Sequence, residues 1–458
     1  MSSAHGVPPV AADALRSDVA GQVFVPGDPG YDQSRQAWQL TADQRPAMVV
    51  AAFSAADVAA AVRFAHSHGL RIAPQSTGHG AAPLEPLDSA LLLRTSPMRG
   101  VRIDLDTRTA RADAGALWQD VAVPASDHGL AGLAGTSLLV GVTGYTLGGG
   151  LGWLARRHGL AANSVTAAEI VTPDGQLVRA DPEHEPDLFW AIRGGGGSVG
   201  VVTALEMLLY PVPELYAGVL FFPIQRAAEV LHFWREWVTT VPDELTSIGR
   251  ILRLPPVPAG PDHLRGRDFA LVEAAYVGDE GTGTELIAPL RTLGPEIDTF
   301  ATISAPALSE LHMDPTEPVP AVGDGALITD FPAAAVDALV GLAGADADTM
   351  LISIEVRHLD GALRRPEADG GALSSIDASY ALFGTGVAGT PEAIATISDQ
   401  AQALKAAFAP WHANYGYYNA TDTPAPAQAL LPPNSYQRLQ QIKISHDPDD
   451  VIISAHPV

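Results

Sequence analysis

Three glycine-dense turns fall within 125 residues of this chain, at 76–80, 141–152 and 194–200. Glycine lets the backbone enter left-handed conformations and leaves its N–H groups open to a close neighbour. One such turn is explained by loop closure alone. Three in succession exceed that need and predict a chain that closes around a large anionic cofactor. The first turn, QSTGHG, follows the strand-like RIAPQ and sets His79 between Gly78 and Gly80. A histidine there is either a turn residue or a point of attachment.

The third turn admits other readings. Gly195-Gly196-Gly197-Ser198-Val199-Gly200 matches GxGxxG, and from Gly196 onward it also matches GxSxG. The first pattern, in a dinucleotide site, needs a strand before it and a helix after it. The nucleophile elbow of a serine hydrolase needs the same order, and Asp447 and His456 could complete a Ser198 triad. Here the helix-like DLFWAIR precedes the glycines and the strand-like VGVVTALEMLLY follows them. The reversed order disfavours both readings. The hydrolase remains an alternative.

At 458 residues the chain exceeds one ordinary core and implies at least two domains. The formal charge of −25 repels phosphate backbones, so nucleic acid is not an expected partner. With no cysteine there can be no disulfide, thiolate metal site or thiol nucleophile, and no metal centre is expected. No apolar run reaches membrane-spanning length, and the N-terminus has no basic head followed by an apolar stretch. A soluble, cytoplasmic protein is expected.

Local patterns place the motifs. Met48-Val49-Val50 reads as a strand. Ser54 then caps a helix running to His68, with Asp57 as a carboxylate variant of the capping box and Gly69 just past the end. Residues 100–115 and 167–180 read as hairpins, the second turning at Pro173-Asp174-Gly175. Residues 116–128 read as a helix. From about 215 to 410, strand-like segments (FALVEAAYV, MLISIEVRHL) alternate with helix-like ones (AAEVLHFWREWV, IATISDQAQALKAAFA). The chain closes with a helix in YQRLQQIKISHDPDD, stopped at Asp447-Pro448.

The stretches QSTGHG, GLAGTSLLVGVTGYTLGGGLGWLARRHGLAANSV, AAEIVTPDG and DLFWAIRGGGGSVGVVTALEM, with NYGYYNATD near the end, resemble one family. They are similar to the berberine-bridge-enzyme-like FAD-linked oxidases of the vanillyl-alcohol-oxidase, or PCMH-type FAD-binding, superfamily. The resemblance implies an α+β fold. A two-part FAD-binding domain is expected over 1–210 and in a C-terminal segment, 411–458, that returns to it. A substrate domain with an antiparallel sheet covered by helices is expected over 211–410.

It also implies site residues. His79 is expected to bond covalently to the 8α methyl of the flavin, with Gln75, Ser76, Thr77, Gly78, Gly80 and Ala81 around the pyrophosphate and ring. Val140, Gly141, Thr143, Gly144, Gly148 and Gly149 are expected to follow the flavin to its ribityl chain, Tyr145 to lie near N1, and Val201 to face the adenine side. A cysteine that forms a second flavin bond in many relatives is Ser137 here, so a single attachment is implied. Asn419 is expected to hold the cofactor. Tyr417 is the first choice of base, with Tyr415 and Tyr418 as alternates because Ala420 departs from the family's aromatic. Alternation in MLISIEVRHL puts Glu355 and Arg357 on one strand face and His358 on the other. These residues and His412 are read chiefly as a solvated sheet face and secondarily as substrate contacts. The implied partners are a small-molecule substrate and O2, and the oligomeric state is left open. Besides the oxidase and the hydrolase, a non-catalytic flavin-fold protein is a third reading.

Overall fold

A computed structural model describes residues 9–84, 86–256 and 264–458, with side chains from residue 12. The chain builds two sheets for the glycine turns and a third, larger one facing them.

The first sheet has four strands in the order Gln22–Phe24, Met48–Ala51, Ala90–Arg94, Arg71–Gln75. Met48–Ala51 and Arg71–Gln75 both run parallel to Ala90–Arg94. The helix Ala55–Ser67 makes the crossover between them. Its apolar positions Val58, Val62 and Ala65 pack on Val50, Ile72 and Leu91. Ser54 accepts from the Asp57 N–H at 3.2 Å, as the capping reading requires. The reciprocal half differs. The Asp57 carboxylate takes the N–H groups of Phe53 and Ala20, at 2.8 and 2.9 Å, and so ties the helix to the preceding segment rather than to its own cap. The far end of the chain returns here, where Ile72 donates its N–H to the Val451 carbonyl and its carbonyl accepts from the Ile453 N–H, both at 2.7 Å.

The second sheet is antiparallel, in the order Val101–Asp104, Thr109–Asp113, Val201–Leu208, Val165–Val171, Leu177–Ala180. Both sequence-predicted hairpins are present in it. The turn of the second closes with Gly175 N–H on the Thr172 carbonyl at 2.8 Å.

The third sheet draws its strands from residues 215–387 and is antiparallel throughout. One face is apolar. Val272, Ile251, Ile354 and Val356 meet Leu231, Trp234, Leu339 and Leu404 from the helices Ala227–Trp237, Ala333–Ala343 and Pro391–Ala407. The opposite face is set by register. Arg250 pairs with Glu355, and Ile248 with both Glu273 and Arg357. Alternation therefore gathers four charged side chains on the face away from the helices. No helix among the described residues is long and apolar enough to cross a membrane.

Candidate active site

The turn after Arg71–Gln75 is held by the segment 36–44. Trp38 and Gln39 donate their N–H groups to the carbonyls of Thr77 and Gly78, at 2.9 and 3.3 Å. Gly78 has φ +85°, and a Cβ there would come within 2.8 Å of Ala37 and of the Gln75 side chain, so only glycine fits. The turn presents the His79 imidazole stacked on Trp38, with centroids 4.5 Å apart. Thr77 Oγ1 lies 2.7 Å from His79 Nδ1 and fixes the ring. Burial pushes the His79 pKa down to about 4, against a weaker opposing pull from Asp314. At neutral pH the ring therefore carries a lone pair.

The second glycine turn lies against the first. A Cβ on Gly141 would sit 3.1 Å from Ser76 Oγ. Trp118 N–H donates to the Val140 carbonyl at 3.0 Å, and Ser137 Oγ accepts from Leu139 N–H at 3.3 Å. The short helix Val142–Leu147 then carries Thr143 and Tyr145 inward. Tyr145 packs edge-on against Trp118, with centroids 5.6 Å apart. Gly149 and Gly150 follow at φ +110° and +77°, two consecutive left-handed residues that only glycines adopt without strain. Their carbonyls accept from Ala162 and Ala161, both at 2.9 Å.

The C-terminal segment closes over this loop. Asn419 Nδ2 donates to the Tyr145 carbonyl at 2.9 Å and lies 3.5 Å from the Tyr417 hydroxyl. A Cβ on Gly148 would collide with Asn419 Oδ1 at 2.0 Å, and one on Gly149 would crowd the Tyr417 ring at 3.2 Å. Of the three candidate tyrosines, Tyr417 is the one at the loop. Tyr415 accepts the Asp377 N–H at 3.0 Å, and Tyr418 packs on Gly196 and His456. Burial holds the pKa values of Tyr417 and Tyr145 well above the ordinary phenol value, and Arg357 pulls both down.

The sheet face above the loop is not solvated, contrary to the chief sequence reading. Glu355 and His358 are buried. Arg357 Nη2 donates to Glu355 Oε1 at 3.0 Å. Glu355 Oε2 pairs with His312 Nε2 at 2.8 Å, and His312 Nδ1 lies 2.7 Å from Glu273 Oε2. Glu273 Oε1 accepts from Arg250 at 2.8 Å. Cross-strand register brought these charges together, so they bury one another instead of facing water. His358, on the opposite face as alternation predicts, contacts Arg156 and Asp360 at 3.1 and 3.2 Å. His412 lies elsewhere, its Nε2 3.0 Å from the Lys405 carbonyl.

Burial and Arg250 push the His312 pKa down, but Glu273 and Glu355 outweigh them and raise it to about 9. The folded protein thus binds a proton that the unfolded chain releases near pH 6.5. This stabilisation is complete below pH 6.5 and is lost as pH rises through 9. It amounts to about 3 kcal/mol. Asp422, raised to about 7 by burial and by Asp324, also disfavours high pH, and its effect is complete only about one unit above that pKa. Stability measured by urea unfolding is expected to fall between pH 7 and 9, and His312→Gln to flatten that slope.

Ser198 is not a nucleophile. Its hydroxyl is buried after the helix Pro186–Ile192 and before the strand Val201–Leu208, the reversed order the sequence implied. Asp447 is consumed by Lys443 at 2.5 Å and by the N–H groups of Val451 and Ile452. His456 Nδ1 instead lies 3.0 Å from the Ala425 carbonyl.

The donors along the turns fit an FAD. Ser76 Oγ, Gln75 Nε2, Thr143 Oγ1, Thr146 Oγ1 and Tyr145 OH are buried without a hydrogen-bond partner among the described residues, although buried polar groups ordinarily find one. Added Cβ atoms on Gly80 and Gly144 would meet no atom of the described residues within 4 Å, so the backbone there is open to a close-lying group. Ala81 is buried beside the first turn. Val201 pairs with Val171 in the core behind it. The sequence reading missed Trp38, His312, Glu273 and Arg250. No short-range pattern marks them.

Residues 46–181 match a family model described as an FAD binding domain. The chain is 35% identical over 201 residues to (R)-6-hydroxynicotine oxidase of Paenarthrobacter nicotinovorans, covering 44% of each. It is 34% identical over 189 residues to glucooligosaccharide oxidase of Sarocladium strictum, covering 41% of this chain and 38% of that one. The chain spans 44%, 57% and 52% of the length of the first three curated relatives it matches. Its fold superposes on 6-hydroxy-D-nicotine oxidase of Arthrobacter nicotinovorans with TM-score 0.82, 24% identity and coverage of 95% and 96%. It superposes on BBE-like 1 of Physcomitrella patens with TM-score 0.84, 18% identity and coverage of 98% of both chains. Fold and site together define an α+β protein with an FAD-binding domain. The fold of the whole chain is the one seen in those two solved structures.

Proposed function

We propose that this protein is an FAD-dependent oxidase that removes hydride from a carbon bearing OH or NH and reduces O2 to H2O2. The observation carrying this reading is the meeting of Tyr417, Tyr145 and Asn419 at the Gly148–Gly150 loop, beneath a charged sheet face. The chemistry contributed by bound FAD is acceptance of the hydride equivalent at N5 and its delivery to dioxygen. His79, neutral and held by Thr77 and Trp38, is the covalent attachment residue. With serine at 137 and no cysteine in the chain, the attachment is single. Tyr417 takes the proton of the substrate O–H or N–H as the neighbouring C–H bond breaks. Asn419 sets its position, and Val140 leaves room for oxygen. The sheet face carrying Arg357 covers the substrate and excludes water. One relative is named for hydroxynicotine and another for glucooligosaccharide, so kinship does not choose the substrate.

The test is anaerobic titration of the yellow protein with a panel of hydroxylated compounds and amines. A substrate is expected to bleach the flavin, and air to restore the colour with one peroxide per turnover. If no compound bleaches it, the protein is a non-catalytic flavin carrier.

A further inference from the structure

The buried charges on the sheet form an alternating chain: Arg250, Glu273, His312, Glu355, Arg357. Each glutamate is shared between two cations, one on each carboxylate oxygen. The chain therefore begins and ends on an arginine. One end is closed, since Arg250 also donates to Ser353 Oγ at 2.8 Å and to the His312 carbonyl at 2.7 Å. The other end is Arg357. Its one ion-pair partner among the described residues is Glu355, already held by His312, and a long 3.4 Å contact reaches the Leu151 carbonyl beside the glycine loop. Its guanidinium acts on Tyr145 and Tyr417, the two phenols at the glycine loop. Asp314, which influences His79, His312 and Arg357 from the half-buried rim, makes no ion pair with any of them. The site thus presents a fixed cation with donors still to satisfy, and the next member of the alternation is an anion. Arginine's planar fork suits a carboxylate.

We infer that Arg357 is a substrate-recognition residue, and that the substrate carries a carboxylate close to the carbon that is oxidised, as in a hydroxy acid or an amino acid. This rests on the oxidase reading for the identity of the pocket, but its test does not need turnover. Lactate, mandelate and phenylacetate, each against its primary amide, are titrated into the holoprotein, and binding is read from perturbation of the flavin spectrum. At least one acid is expected to bind about tenfold or more tightly than its amide. Arg357→Met is expected to weaken that acid by about 30-fold while changing the amide by less than about threefold. Arg357→Lys keeps the charge and guards against a folding defect; it should recover most of the lost affinity. If no acid outbinds its amide, or if Arg357→Met weakens both alike, the inference is overturned. A variant that binds the probes normally but shifts the flavin reduction potential would assign Arg357 to the cofactor instead, and also overturns it. Failure of the oxidase reading would show separately, as absence of bleaching by acids that still bind.

Discussion

Tyr417→Phe is expected to turn over about a thousandfold more slowly than the native protein while keeping its full flavin content. The substitution removes one hydroxyl and preserves the ring that Gly149 packs against. Hydride leaves a carbinol or amine carbon readily only when the adjacent O–H or N–H loses its proton in step. Burial holds the Tyr417 phenol protonated at neutral pH, and Arg357 lowers its pKa in part. The base is active only when deprotonated, so native kcat/KM should rise with pH across the neutral to alkaline range. In Tyr417→Phe that rise should vanish, leaving a flat, slow profile. Stopped-flow reduction of the flavin measures both. A Phe variant that keeps the native rate and pH limb would remove Tyr417 from the chemistry. Asn419 and Tyr145, which share its surroundings, would then be examined next.

His79→Ala should abolish covalent attachment altogether. The native chain, precipitated in acid, is expected to give a yellow pellet with a mass increased by one FAD. The variant is expected to give a colourless pellet at the mass of the bare polypeptide. The reason is local. Burial keeps the imidazole neutral, with a pKa of about 4, and Thr77 and Trp38 hold it in one orientation, so a nucleophilic nitrogen is present at physiological pH. A methyl group offers nothing in its place. Colour persisting in the denatured variant would place the bond on another residue. Colour absent from the native pellet would mean a flavin held by the turns alone.

Much of the fold was legible because its cues lie between near neighbours. Ser54 accepts from the Asp57 N–H three residues on, and a sequence window contains both partners. The hairpins follow from alternation flanking turn residues. The order of helix, glycines and strand around Ser198 was enough to disfavour a nucleophile elbow, and the Lys443–Asp447 pair then removed the triad. The reading of Glu355, Arg357 and His358 succeeded on which face each occupies and failed on solvation. Alternation fixes the face, but solvation depends on what the neighbouring strands bring. Register brought Arg250 and Glu273, and a loop brought His312. Trp38 against His79 is of the same kind, a contact across 41 residues that no periodicity announces.

By itself, the sequence determined the backbone's special demands: left-handed glycines at Gly78, Gly149 and Gly150, strands of period two, and the histidine between two glycines. These depend on a residue and the few beside it. The tertiary structure alone decided which tyrosine stands at the loop, and that five charges from four stretches of chain line up to leave Arg357 at the open end. The physical reason is range. A dihedral preference is settled within a turn, whereas a buried charge is settled by whatever the fold carries to within about 3 Å of it.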